Sequence, residues 1–248
     1  MRRVFPYNII RNERMAPMEQ IYTIPINEAF EECEGSGTCP FCAVFNKFEK
    51  NEIDLILGAS MMEPDVRIKT NRSGFCREHY GKMLRAGKKL PIALMLESHL
   101  AEVSEMVRVN RLFPAKGAKG SADNIEKMSA DCYICGRLSA SFEKVLDNAV
   151  YMWATDGDFR KKTAAQKMFC LPHYSAFIKA ASRGMSSSDF KAFSSSVRTV
   201  EEKYLEKLRA DVSFFVKKFD YRYENEPWGD SKDSVERAIS LLSGNVSD

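Results

Sequence analysis

The chain is predicted to be all-α: a duplicated helical metal-binding module, two pseudo-repeats long, with a further helix at the C-terminus. Three observations predict this. Cys39-Pro40-Phe41-Cys42 is followed by Phe75-Cys76-Arg77-Glu78-His79-Tyr80, and Cys132-Tyr133-Ile134-Cys135 is followed by Phe169-Cys170-Leu171-Pro172-His173-Tyr174. Apolar residues recur at helical spacing through nearly every segment. The helices expected after each Cys pair also come in the same order.

The elements follow in sequence. After Cys39, the residues Phe41, Val44, Phe45, Phe48, Leu55 and Ile56 form an apolar stripe, with Pro40 suited to a first helical turn. After Cys135 the stripe is Leu138, Phe142, Val145, Leu146, Ala149 and Trp153. A short helix is expected next in each half, around 63–71 and 158–167. Another opens at each Cys-x-x-His and ends near Gly87 or Gly184, and a longer one follows, from Pro91 to about Asn110 and from about Ser188 to Asp220. The stretch Pro114 to Ser121, with Lys116 and Lys119 among Gly and Ala, reads as a solvated linker. Ile21 to Ile26 reads as a short strand weakened by Pro25. A last helix from near Ser231 aligns Val235, Ala238, Ile239 and Leu242 and is expected to pack across both modules. The expected division is thus an N-terminal extension (1–20), module 1 (21–113), a linker (114–122), module 2 (123–220), and an aromatic loop with the final helix (221–248). The extension has no counterpart in the repeat and is expected to be mobile, with Met15 or Met18 as an alternative start.

The repeat carries the chemistry. Equivalent Cys pairs lie 93 residues apart (39 to 132, 42 to 135), and the second half-sites lie 94 apart (76 to 170, 79 to 173), the offset an old duplication with one insertion leaves. Of 7 Cys and 3 His, only Cys33 and His99 stand outside the pattern. Two sulfurs in a Cys-x-x-Cys turn can reach one ion at about 2.3 Å. A Cys and a His three residues apart on a helix share a face. Placed at a helix N-terminus, Cys76 and Cys170 gain thiolate character from the helix dipole. The expectation is two structural zinc ions, one per half, held by Cys39, Cys42, Cys76 and His79 and by Cys132, Cys135, Cys170 and His173, with each tetrahedron closed to substrate. Two alternatives stay open. Soft thiolates also select iron–sulfur clusters, and the halves could exchange ligands, Cys39/Cys42 pairing with Cys170/His173. Metal-free redox pairs would need a thioredoxin-type strand–helix pattern, which neither pair has.

Composition bounds the function. With 37 Lys+Arg against 34 Asp+Glu the formal charge is only +3, too little to draw nucleic acid. No apolar run approaches the ~20 residues of a membrane span, and no signal peptide is evident at the N-terminus. A cytoplasmic protein is expected, one in which paired cysteines bind metal rather than form disulfides. Cys33 reads as a free thiol ending a short helix. His99, on the stripe of Ile92, Leu96, Val103 and Met106, reads as a satisfied core residue. The run Lys217-Lys218-Phe219-Asp220-Tyr221-Arg222-Tyr223, continuing to Trp228, interleaves aromatic and basic residues. Its balanced charge favours ring packing at a helix corner, yet Lys217, Lys218, Tyr221, Arg222, Tyr223 and Trp228 are the best candidates for a partner surface. No catalytic signature is present, which argues against an enzyme.

Ile24-Pro25-Ile26-Asn27-Glu28-Ala29-Phe30, the two Cys/His motifs and Lys217 to Tyr223 together resemble an uncharacterised bacterial family of domains of unknown function, found mainly in Clostridia-type anaerobes. The resemblance runs from about residue 20 to 243. It departs at Met168, which stands where the first motif has Gly74, and in the residues before Ile21. It implies the duplicated architecture and an anaerobic source, and brings no activity with it. The functions to be distinguished are a zinc-dependent protein-interaction or scaffold module, an iron–sulfur or thiol redox protein of an anaerobe, and a nucleic-acid-binding regulator.

Overall fold

The computed structural model describes residues 20–108 and 114–244. The described residues form 11 α-helices and no strand, an all-α fold. In order these are α1 (Gln20–Glu32), α2 (Pro40–Ile56), α3 (Pro64–Ser73), α4 (Arg77–Arg85), α5 (Lys89–Val107), α6 (Pro114–Ala130), α7 (Tyr133–Thr155), α8 (Gly157–Ala165), α9 (Leu171–Gly184), α10 (Ser187–Lys217) and α11 (Ser234–Ser243). Expectations for the N-terminal extension lie outside the described residues.

Two expectations are corrected here. The segment from Ile21 to Ile26 belongs to helix α1 rather than a strand. Its deciding signal is Ile26, Ala29, Phe30 and Cys33, all buried at i, i+3, i+4, i+7 spacing, which outweighs the amide that Pro25 removes from the first turns. The stretch 114–122 is likewise no linker but the start of α6. Gly117, Ser121, Ile125 and Met128 fall on one half-buried stripe, α6 packs on α5, and Ser121 Oγ donates to the Met106 carbonyl at 2.5 Å. Packing here overrides the ~1 kcal/mol per residue by which Gly disfavours helix.

The described residues divide into two compact units, and these are not the two sequence halves: one comprises those up to 46 with those from 142 onward, the other those between 47 and 141. The boundaries fall inside α2 and α7, so each of these helices gives one end to each unit. In the first unit the core is aromatic. Phe30 meets Phe41 edge-on at 5.4 Å and Phe159 at 4.8 Å, while Phe177 packs edge-on against Phe193 at 4.7 Å. Such rings bury large apolar areas and add edge-to-face attraction. Helix α10 serves as the backbone of this unit, carrying α8, α9 and α11.

The face α11 turns inward also differs from expectation. Ser234, Ala238 and Leu241 face α9 and α10, whereas Val235, Ile239 and Leu242 are exposed. Arg237 decides the rotation: it bonds Asp211 of α10 at 3.0 Å and Asp233 at 2.9 Å, pinning that side of the helix down. The expected packing of α11 across two modules is thereby replaced by a seat on α9 and α10.

In the second unit α3, α4 and α6 pack on α5, around Ile53, Ile56, Met83, Ile92 and Met95. His99 has the bland role expected of it. Its Nδ1–H donates to the Asn71 carbonyl at 2.7 Å, and its ring lies so close to Gly74 that a Cβ there would stand 2.8 Å from Nε2.

Candidate metal centres

The eight motif residues assemble into two groups of four: Cys39, Cys42, Cys170 and His173 in the first unit, and Cys76, His79, Cys132 and Cys135 in the second. This corrects the expected assignment of one ion to each sequence half. The ligand-exchanged arrangement is the one observed. In each group the four donor atoms lie within 4.8 Å of one another.

Local structure aims the donors. Cys76 and Cys170 are the N-caps of α4 and α9, with extended backbone, and their carbonyls accept the first helical bonds from Tyr80 at 3.0 Å and Tyr174 at 2.8 Å. The histidines then fall in the first turn, on the same face as the cap sulfur. Cys39 and Cys132 immediately precede α2 and α7, and their carbonyls accept from Ala43 at 3.2 Å and Gly136 at 3.0 Å. The free amide of Tyr133, an orphan at the start of α7, donates to the Gly74 carbonyl at 3.0 Å and so ties the Cys pair to the loop before Cys76. Two helix N-termini therefore converge on each group, and their positive dipole ends suit a cluster of thiolates.

The distances match a tetrahedron. Bonds of about 2.3 Å to sulfur and 2.0–2.1 Å to nitrogen require S···S edges of about 3.8 Å and S···N edges of about 3.6 Å. In the first group Cys42 Sγ to Cys170 Sγ is 3.6 Å, and His173 Nδ1 stands 3.7, 3.4 and 3.1 Å from Cys39, Cys42 and Cys170. In the second, Cys76 Sγ to Cys135 Sγ is 3.9 Å, and His79 Nδ1 stands 3.2, 3.3 and 3.4 Å from Cys76, Cys132 and Cys135. All seven cysteines are free thiols. The sulfurs sit at the separation an ion between them dictates, far beyond the ~2.05 Å of a disulfide.

Electrostatics point the same way. In each group one thiol is shifted strongly toward thiolate. The Cys42 pKa is lowered by hydrogen bonds from Cys170 and Cys39, and Cys132 is lowered to about 3 by its bond from Cys135. Two other sulfurs are pushed the other way: Cys39 by burial and by its neighbours, Cys135 by the Cys132 thiolate beside it. Three crowded sulfurs can all ionise only if a cation supplies the compensating charge.

The surroundings of the two histidines differ. Glu49, buried in α2, accepts from His79 Nε2–H at 3.1 Å with one oxygen and from Lys82 Nζ at 2.5 Å with the other. Burial works against a charged His79, but its bonds to Cys132 and Glu49 prevail and push it up to about 10. Such a carboxylate–histidine pair fixes the ring, here with Nδ1 facing the three sulfurs. His173 makes no such bond among the described residues. Its ring is packed by Phe142 at 4.9 Å, Phe41 at 6.1 Å and Phe45 at 6.5 Å. Over the sulfurs of this group lies Gly244, at φ +85°, where a Cβ would stand 3.6 Å from Cys42 Sγ and 3.8 Å from Cys170 Sγ. Sequence reasoning missed Glu49, Lys82 and Gly244. The one available signal was Lys82, three residues after His79 and hence on its face of α4, where a buried ammonium requires an acid nearby.

Of the residues singled out for a partner surface, Lys218 is engaged within the loop. Its Nζ donates to the carbonyls of Tyr223, Glu224 and Glu226 at 2.7–2.8 Å and lies 5.3 Å from the Trp228 ring centroid. Lys217 lies over Tyr223, and Arg222 bonds Asp220 at 2.6 Å. Tyr221, at 84% exposure, and Phe219, at 78%, face solvent. Cys33 is buried and free, and burial raises its pKa. Among the described residues no helix is long and apolar enough to cross a membrane.

No curated protein and no solved structure matches the chain. A family match does cover residues 18–248, which include all eight clustered Cys and His residues. The chain belongs to that family, described as a family of unknown function (DUF6062).

Proposed function

We propose that the chain binds two zinc ions, one in each Cys3His group, that the ions are structural, and that the helical scaffold they hold serves a protein partner. The observation that carries this reading is the closed donor set. Four protein ligands at tetrahedral spacing leave no position for a substrate, which is the signature of structural rather than catalytic zinc. The sites also stand where helix ends from distant parts of the sequence meet, so an ion there stabilises tertiary structure directly. A duplication accounts for the two like motifs. Formal charge of only +3 disfavours nucleic acid, and the exposed Phe219 and Tyr221, flanked by Lys217 and Arg222, are of the residue types that anchor protein interfaces. A cytoplasmic location agrees with seven reduced cysteines.

Elemental analysis of anaerobically purified protein tests the metal. Two zinc per chain and a colourless solution are expected; a brown protein containing iron and absorbing in the visible would replace this reading with an iron–sulfur protein. Tyr221→Ala combined with Phe219→Ser is expected to abolish association with the natural partner while leaving metal content unchanged. Turnover of a substrate by a protein that associates with no partner would refute the scaffold role.

A further inference from the structure

Apart from the metal groups, the first unit contains a cleft of about 670 Å³ between the turn before α9, the middle of α10, the start of α11 and the Ser36-Gly37 loop. That volume falls within the range of small-molecule sites. Its walls carry Lys167, Lys203, Lys207 and Arg237 against Asp230 and Asp233.

These charges fall into two sets. Lys207 is bonded to Asp211 at 3.0 Å and Asp230 at 2.7 Å, and Arg237 to Asp211 at 3.0 Å and Asp233 at 2.9 Å, a closed network that fixes α11 on α10. Lys167 and Lys203 take no hydrogen bond or ion pair among the described residues, although Asp230 feels the charge of Lys167. The cleft therefore presents two ammonium groups that no carboxylate holds.

Gln166 and Tyr204 also line the cleft. Gln166 is 4% exposed and donates through Nε2 to the carbonyls of Phe30 at 2.7 Å and Lys162 at 2.9 Å. Those bonds fix the amide's orientation and leave Oε1 buried without a partner. The Tyr204 hydroxyl is also buried, with the Arg237 guanidinium beside it. Native structures rarely leave buried polar atoms unsatisfied, and those found in a cleft are candidates for pairing with a ligand.

We propose that this cleft binds a phosphate monoester of a small hydroxylated molecule, the phosphate seated at Lys167 and Lys203 and a hydroxyl donating to Gln166 Oε1. Two ammonium point charges match a phosphate dianion, whereas a single carboxylate would leave one of them uncompensated. The acceptor on Gln166 requires a donor in the ligand, which the ionised phosphate of a monoester cannot supply and a sugar hydroxyl can.

Calorimetric titration of the full metal-loaded chain with ribose 5-phosphate, adenosine 5′-monophosphate, inorganic phosphate and ribose tests this. Saturable binding of at least one of the two esters is expected, tighter than that of inorganic phosphate, with none for ribose. Lys203→Glu and Lys167→Glu should each weaken that ester about tenfold or more, the loss of a charge-assisted bond, while Lys191→Glu, elsewhere on α10, should not. Both esters failing to saturate, ribose binding as well as they do, undiminished binding by Lys203→Glu and Lys167→Glu, or equal weakening by Lys191→Glu would each overturn the assignment. Metal content measured on the same samples keeps this outcome separate from that of the metal sites.

Discussion

Replacing Glu49 by alanine is expected to weaken one metal site and leave the other untouched. The carboxylate is 7% exposed and joins two groups, His79 Nε2 at 3.1 Å and Lys82 Nζ at 2.5 Å. Its removal leaves His79 free to rotate and makes its Nδ1 a poorer donor. Loss of such an outer carboxylate reduces metal affinity by roughly 10–100-fold, or about 1.4–2.8 kcal/mol. A second cost falls on the fold itself, because the Lys82 side chain is only 12% exposed and would lose its main counter-charge. Breaking a buried pair from one side costs up to about 3–5 kcal/mol, and residual contact with Glu78 at 3.6 Å places this case toward the lower end. The double variant Glu49→Ala/Lys82→Met separates the two effects, since it removes the ammonium without restoring the histidine's partner. Glu49→Gln keeps a neutral acceptor and should lose about tenfold in affinity, the lower end of the range. Zinc competition against a chromophoric chelator reads both sites at once: one ion should leave at lower chelator concentration in Glu49→Ala while the other is released as in the parent protein. Parent-like release of both ions, or a loss confined to the Cys39/Cys42/Cys170/His173 site, would refute the reasoning.

The ligand exchange makes a sharper claim about pairs of cysteines. Cys42→Ser and Cys170→Ser should lose the same ion, so that the double variant still retains one metal per chain. Cys42→Ser/Cys76→Ser should retain none, as elemental analysis will reveal; each ion is worth on the order of 10 kcal/mol to folding, so the double loss should also abolish cooperative melting. Gly244→Ala forces a side chain into a backbone region (φ 85°, ψ 165°) essentially reserved for glycine, directly over Cys42 and Cys170. A loss of about 1–3 kcal/mol is expected by urea denaturation. Glu201 accepts from the Phe169 amide at 3.2 Å, and burial raises its pKa from 4.5 to about 7. The folded state therefore favours the neutral acid. Its contribution is most favourable below pH 4.5, declines as pH rises to about 7, and becomes a constant penalty above that. Glu201→Gln should thus be more stable than the parent at pH 8, by ~3 kcal/mol at most, with the advantage shrinking toward pH 5. Equal differences at both pH values would exclude a buried titrating carboxylate.

Sequence alone identified the helical class and the eight donors, because both are local properties. Apolar spacing along α2, α7 and α10 reports a helix whatever it packs against, and Cys-x-x-Cys or Cys-x-x-His places two donors on one turn without help from the rest of the chain. Tertiary structure decided which half-sites share an ion. From each Cys pair the chain travels out along a long helix, 17 residues in α2 and 23 in α7, or about 25 Å and 35 Å at 1.5 Å per residue. The far ends of these helices (residues 47–56 of α2 and 142–155 of α7) belong to the other compact unit, as does the Cys-x-x-His motif that follows each, so each Cys pair meets the motif of the other sequence half. The same dependence on packing explains α6 and α11: a Gly-rich stretch became a helix because α5 offered it a surface, and an apolar stripe was left in solvent because Arg237 found its acids on the opposite side. Motif spacing is written in a few adjacent residues, whereas partners across the fold are chosen by helix lengths and ion pairs that act only once the chain has folded.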